Sequence, residues 1–194
     1  SLTLRSFWRV MRVELGLGTD NILCASVMGP DLMQQHQTML DVLQGVRGIE
    51  AVSTITALPL TEGESDFATV HPVAWDDARK NELPQVSLRT VSLDYFRVMG
   101  IRLLKGRGFN VRDKRASDHV VLINQSLAQH LWPDTDPIGQ HIKFDDVMMV
   151  MGDSFNEGGE EASHRIVGIG QDVKYKGAES QAPMEVYIPF AQAI

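Results

Sequence analysis

The sequence predicts an α+β fold, a mixed α/β lobe containing a βαβ unit with a β-rich lobe inserted into it. Three observations carry this expectation. Residues 21–57 read as strand, helix and strand with short joints. Residues 91–190 hold an ordered succession of short apolar strands and helices, each paired with a Gly or Pro stop. Between these regions, residues 61–66 are polar and acidic and 76–82 are charged, so loops dominate the middle of the chain.

Taken in order, Leu4, Phe7, Trp8 and Met11 recur at helical spacing with Arg5, Arg9 and Arg12 around them, which predicts an amphipathic helix over residues 2–17. Such a basic, Trp-bearing helix suits a membrane interface or the cap of a domain. Gly16 and Gly18 end it. Residues 21–28 follow as a strand that is apolar on both faces, as a strand covered on each side requires. A helix comes next, capped by Asp31 with Gln34 three residues on, burying Leu32, Met33, Met39, Leu40, Leu43 and Val46, and closed by Gly48. Residues 51–57 supply the second strand, and the crossover between two such strands is right-handed.

Further strands are expected at 67–70, 85–91, 119–124, 140–144, 165–170 and 185–188. Helices are expected at 93–99, closed by Gly100, and at 125–131, stopped by Pro133. The biased segment 152–161 reads as a loop, and Val147 to Met151 as a Met-rich strand.

Lys+Arg 18 against Asp+Glu 25 gives a net charge of -7, and no basic run focuses a field on a polyanion, so nucleic acid is excluded as a partner. The longest apolar runs fall far below the roughly 20 residues that cross a bilayer. The single cysteine, Cys24, precludes an internal disulfide, and its apolar neighbours Leu23 and Ala25 predict a small buried core residue.

Chemistry finds little support. The pairs Gly16/Gly18, Gly106/Gly108 and Gly168/Gly170 each lack the third glycine of a dinucleotide fingerprint, and no phosphate-binding loop occurs. Residues 153–158 start like a calcium loop, but Phe155 and His164 stand where ligands are needed. The histidines His36, His71, His119, His130, His141 and His164 are dispersed. Glu62, Glu64 and Asp66 read as a solvated face, and Gly152-Asp153-Ser154 does not form a nucleophile elbow. The chain is therefore expected not to be an enzyme, with no catalytic, cofactor-binding or metal residue and no cofactor.

The landmarks Arg5-Ser6-Phe7-Trp8, Gly45-Val46-Arg47-Gly48-Ile49, Leu58-Pro59-Leu60, Val91-Ser92 with Tyr95-Phe96, Gly106-Arg107-Gly108-Phe109, Trp132-Pro133, Asp136-Pro137-Ile138-Gly139-Gln140 and Tyr187-Ile188-Pro189-Phe190-Ala191-Gln192, in that order, resemble the periplasmic core domain of MacB/FtsX-type ABC-transporter permeases. The resemblance spans most of the chain. It implies a juxtamembrane amphipathic helix at 1–20, a membrane-proximal α/β lobe from 21–58 and 183–194, and an inserted β-rich lobe at 59–182. It also implies a non-catalytic, extracytoplasmic domain at the bacterial inner membrane, facing the periplasm or the extracellular side, that transmits ATPase-driven conformational change in export or mechanotransmission.

The implied partners are its own transmembrane helices, a cognate ABC ATPase, a second permease copy or half, and periplasmic adaptor proteins. Pro59 and Ala182-Pro183 are the expected hinges. Relatives continue past Tyr187-Ile188-Pro189 with another strand-helix-strand unit, so the resemblance implies a piece of a longer protein, with an open sheet edge able to pair with a second copy. The competing expectation is a periplasmic small-ligand- or lipid-binding module, with a cleft between the lobes lined by the Met-rich strand.

Overall fold

In the computed structural model, the described residues are 22–25, 27, 32–56, 66–75, 83–148, 162–174 and 181–193. They form helices α1 (Leu32–Gln44), α2 (Tyr95–Val98) and α3 (Gln125–Leu131). The strands are β1 (Asp66–Pro72), β2 (Gln85–Val91), β3 (Leu103–Gly106), β4 (Val120–Asn124), β5 (His141–Met148), β6 (His164–Gly170) and β7 (Glu185–Pro189), followed by a 3-10 turn at Phe190–Gln192. Helices and a multi-stranded sheet make this an α+β fold. The expected helices at 2–17 and the loop at 152–161 lie outside the described residues.

The seven strands make one sheet in the order β3-β6-β4-β7-β2-β1-β5, and β5 pairs with β6 as well. That last pairing, His141 with Arg165 and Ile142 with His164, closes six strands into a hydrogen-bonded circuit and leaves β3 alongside β6. Alternation along each strand then sorts side chains inward and outward. Inside lie Ala68, Val70, Val86, Leu88, Val121, Ile123, Ile142, Ile166, Val186 and Ile188, with Leu127, Ala128 and Leu131 of α3 packed onto them. Outside, Val91, Val120, Leu122, Val167 and Tyr187 pack under Tyr95, Phe96 and Met99 around α2, joined by Ile22 and Ile55.

Asn124 ends β4 and begins α3 by caps made from one side chain. Its Oδ1 accepts from Leu127 N at 3.1 Å and Glu185 N at 3.0 Å, while Nδ2 donates to Pro183 O at 2.7 Å and Asp172 Oδ1 at 2.8 Å. A fully buried amide with four partners fixes the helix to the start of β7.

Among the described residues the expected βαβ unit is not formed. Residues 22–25 and 27 carry no strand, and within 51–56 only Ile55 forms an isolated antiparallel bridge, to Val91. The reason is the occupancy of β2. Strand β1 covers its Gln85–Leu88 portion and β7 lies along its other edge, so only the stretch around Thr90 to Ser92 remains for residues 54–56. Without a place in the sheet, Leu23 stands 94% exposed and Cys24 is exposed as well, against the expectation of a buried thiol.

Helix α1 ends at Gln44, and Gly48, at φ 96°, ends the turns that follow. Its expected apolar face is only partly covered, since Leu43 and Val46 are exposed. Strand β7, expected to run with residues 21–58, lies between β2 and β4. Asp66, expected in a solvated loop, is buried at the start of β1 opposite Leu88.

His164 opens β6 with its ring edge-on to Phe144 at 4.9 Å and His119 at 5.1 Å. Burial, reinforced by the neighbouring His119, pushes it from its ordinary value of 6.5 down to about 4. The unfolded chain takes up this proton at higher pH than the folded one. His164 thus contributes stability that is complete above its ordinary value and declines as pH falls toward the depressed one. Thermal melts in mildly acidic buffer should show a lower Tm than at neutral pH, and His164→Phe should shrink that difference. An unchanged difference would assign the acid sensitivity elsewhere.

Candidate functional site

The residues that chemistry would need are not brought together. His71 Nδ1 sits 2.6 Å from Asp145 Oδ2 across β1 and β5, His36 lies on α1, and His164 is enclosed by rings. Among the described residues no group of His, Cys, Asp and Glu could hold a metal ion. Residues 153–158, read as an acidic loop rather than a calcium site, and Glu62, Glu64, Ser154 and Pro59 lie outside the described residues. The other expected hinge, Pro183, has its carbonyl held by Asn124, and the next carbonyl, of Met184, accepts from Ser87 N at 2.9 Å.

What the fold does assemble is a junction between residues 22–56 and the outer face of the sheet. Thr56 N donates to Thr90 O at 3.1 Å and Ser92 N to Thr54 O at 3.1 Å, which makes Ile55 and Val91 a non-hydrogen-bonded pair. Side chains reinforce it: Ser92 Oγ accepts from Thr54 N at 2.9 Å, and Thr56 Oγ1 accepts from Thr90 N at 3.2 Å. Helix α1 is held by His36, whose ring stacks on Phe190 with centroids 3.4 Å apart and planes 7° apart. Its Nε2 lies 2.6 Å from Thr54 Oγ1. Burial lowers the His36 pKa, which keeps the stacked imidazole neutral. The following stretch, residues 41–50, is exposed throughout.

Beneath the junction lies a buried ionic network. Arg89 Nε donates to Glu185 Oε1 at 3.2 Å and Tyr187 OH donates to Glu185 Oε2 at 2.8 Å, with Arg89 3% and Glu185 0% exposed. The parallel register that sets Arg89 beside Tyr187 and Ser87 beside Glu185 delivers these groups to one face. Tyr95 closes over them, 6.1 Å from the Tyr187 ring. Its hydroxyl has no hydrogen-bond partner among the described residues, and burial followed by the Glu185 charge pushes its pKa well up. Sequence reasoning missed this network, although a charged residue inside the run Val86 to Val91 and another opening the strand before Val186 were the available signals.

At the far end, Gln192 anchors the C-terminal turn. Its Oε1 accepts from Val120 N at 3.0 Å, and Nε2 donates to Lys114 O at 3.1 Å and Asp118 O at 3.0 Å. A cleft of about 650 Å³ opens between β1, β2, α3 and residues 181–184, lined by Phe67, Ser87, Ser126, His130 and Met184. Among the described residues no Asp, Glu, Lys or Arg side chain lines it. Of the Met-rich stretch, Val147 is half-buried against the interior core rather than in this cleft.

The fold and the junction define an α+β domain whose closed sheet is met by helix α1 at His36, and no described helix is long and apolar enough to cross a membrane. Residues 25–194 match the MacB-like periplasmic core domain. The chain belongs to that family. Over 58 residues it is 40% identical to the macrolide export ATP-binding/permease protein MacB of Neisseria gonorrhoeae, and equally to that of Neisseria meningitidis. That stretch is 30% of this chain and 9% of the relative, so the match spans a small part of those proteins.

Among solved structures, the periplasmic region of MacB from Actinobacillus actinomycetemcomitans superposes with a TM-score of 0.51 at 15% identity, covering 80% of this chain and 55% of that one. The extracellular domain of the ABC-type transporter YknZ from Gram-positive bacteria gives a TM-score of 0.48 at 16% identity, covering 79% of this chain and 62% of that one. At these identities the likeness concerns the fold alone.

Proposed function

We propose that this chain is the extracytoplasmic domain of an ABC-transporter permease and that it conveys ATPase-driven motion without doing chemistry. The observation that carries the reading is the family match over residues 25–194. The architecture supports it: a sheet closed by many ladder bonds serves as a rigid body, and the few contacts at His36, Thr54 and Ile55 serve as the place where motion is taken up.

In this account residues 1–20 form the juxtamembrane helix. Residues 21–58 form the membrane-proximal lobe and meet Phe190 through the His36 stack, while β7, which lies between β2 and β4, goes with residues 59–182 in the inserted lobe. Pro59 is the crossing between them, since Pro183 is held to the sheet body by Asn124. The partners are the protein's own transmembrane helices, a cognate ATPase, a second permease copy or half, and periplasmic adaptors, at the bacterial inner membrane with this domain facing the periplasm or the extracellular side.

A disulfide tests this. Non-hydrogen-bonded antiparallel pairs have Cα atoms about 4.5 Å apart, within reach of an S–S bridge. In the full-length transporter with Cys24→Ser, the pair Ile55→Cys and Val91→Cys should form a bridge that stops transport under oxidation and restores it on reduction. Transport at the unbridged rate with the bridge formed would remove the proposed joint.

A further inference from the structure

The fastening of α1 to the rest of the fold turns on one side chain. Among the described residues, no α1 side chain belongs to either hydrophobic cluster or packs against one, and Val42 and Leu43 on the helix are exposed. The side-chain hydrogen bond and the ring contact that tie the helix to the body are both made by His36, with the flat stack on Phe190 at 3.4 Å between centroids and Nε2 at 2.6 Å from Thr54 Oγ1. A helix that buries no apolar stripe is seated by such point contacts.

His36 is also the residue of α1 whose charge can change in the neutral range. The other ionisable group on the helix, Asp41, accepts from Gln37 at 2.9 Å on the exposed side. Arg47 and Glu50 follow the helix and are exposed, while residues 51–56 and the turn Phe190–Gln192 carry no titratable side chain. The groups that meet the ring, Thr54 and Phe190, are therefore uncharged, and burial is the cause that lowers the His36 pKa.

Protonation sets two effects against each other. An imidazolium over the Phe190 face gains a cation–π attraction, but it gives up hydration, and it carries two N–H donors where the described residues supply one acceptor, Thr54 Oγ1. The lowered pKa places the balance on the side of the lost hydration. Once the helix is unseated, the ring stands in water at its ordinary value of 6.5. A proton is thus bound more tightly by the unseated form, so seating is complete above the ordinary value and weakens as pH falls toward the depressed one.

We propose that His36 makes the α1 joint a pH-sensitive latch, which seats the helix on Phe190 and Thr54 while the imidazole is neutral and releases it on protonation. What the latch controls rests on the transmission reading, since a released α1 cannot hand motion to the sheet. The latch itself needs only the contacts described.

The test uses the 194-residue chain alone, with Cys24→Ser, Val42→Cys and Val111→Cys carrying spin labels. Pulsed electron paramagnetic resonance between about pH 8 and about pH 5 should show the ratio of released to seated helix rising at least about threefold. His36→Gln, uncharged throughout, should abolish that rise, and His164→Phe should leave it. In the unlabelled, unaltered chain, the His36 ring proton shifted by the Phe190 ring current should titrate below 6.5 and lose that shift as the ring is protonated.

A ratio that does not change with pH, a rise that persists in His36→Gln, or a His36 ring that titrates at or above its ordinary value would overturn the latch. The last of these depends on no variant. Because no ATPase or transmembrane part takes part, a failed latch leaves the transmission reading standing, and failure of that reading leaves this result intact.

Discussion

Replacing Arg89 with Met is expected to cost this domain about 3–5 kcal/mol, because the fully buried carboxylate of Glu185 would lose the guanidinium beside it. The cost does not measure the worth of the ion pair itself. Taking both charges out of water is expensive, so the double variant Arg89→Met, Glu185→Leu should recover much of the loss. Tyr187→Phe should fall between, since it removes one donor at 2.8 Å from Glu185 and leaves Arg89 in place. Tyr95→Phe is the informative contrast: its hydroxyl is buried with no partner among the described residues, so deleting it should leave stability unchanged or raise it. Urea unfolding monitored by circular dichroism checks all four. A loss for Arg89→Met within about 1 kcal/mol would mean that the network is hydrated or replaceable.

Substituting Gly168 with Ala is the second large effect. A Cβ there would lie 2.3 Å from the backbone oxygen of Arg107 and 2.3 Å from Leu122 Cδ2. The side chain could turn away, but the carbonyl cannot without moving the end of β3. Gly106, opposite Gly168 in the register, is subject to the same closeness: its Cβ would fall 2.3 Å from Val167 O, and its φ is 73°. The two glycines thus let β3 lie close against β6, which explains the Gly106 and Gly168 landmarks of the sequence. Gly168→Ala is expected to cost about 3 kcal/mol and to speed amide exchange of residues 103–106 selectively. Gly139→Ala is the control. At φ 85° with nothing within 4 Å, it carries only the left-handed backbone penalty of about 1 kcal/mol. Equal losses at the two positions would show that packing between β3 and β6 is not what Gly168 serves.

The sequence was legible where a strand alternates and carries its own stop. Helix α3 was bounded correctly because Asn124 caps it and Pro133 follows it, and β2, β4, β6 and β7 were recognisable from apolar runs closed by Gly, Asn or Pro. Residues 21–28 and 51–57 look like strands by the same rule, yet pairing decides strands, and β2 had both edges largely occupied. Strand β3 was illegible for the opposite reason: four exposed residues leave no burial pattern to read.

The site was less legible still. Arg89 and Glu185 are 96 residues apart and His36 and Thr54 are 18 apart, so only the folded sheet reveals that they meet. The family resemblance was carried by Gly and Pro landmarks because those residues mark backbone geometry.

The central claim is that α1 and its neighbours shift against the sheet as the parent transporter turns over. Spin labels at Val42 on α1 and Val111 on the sheet body, 65% and 70% exposed, can report the distance by pulsed electron paramagnetic resonance in the reconstituted full-length protein with Cys24→Ser. The account predicts a different distance distribution in the ATP-bound and nucleotide-free states. One distribution unchanged across both states while ATP is hydrolysed and substrate moves would contradict it.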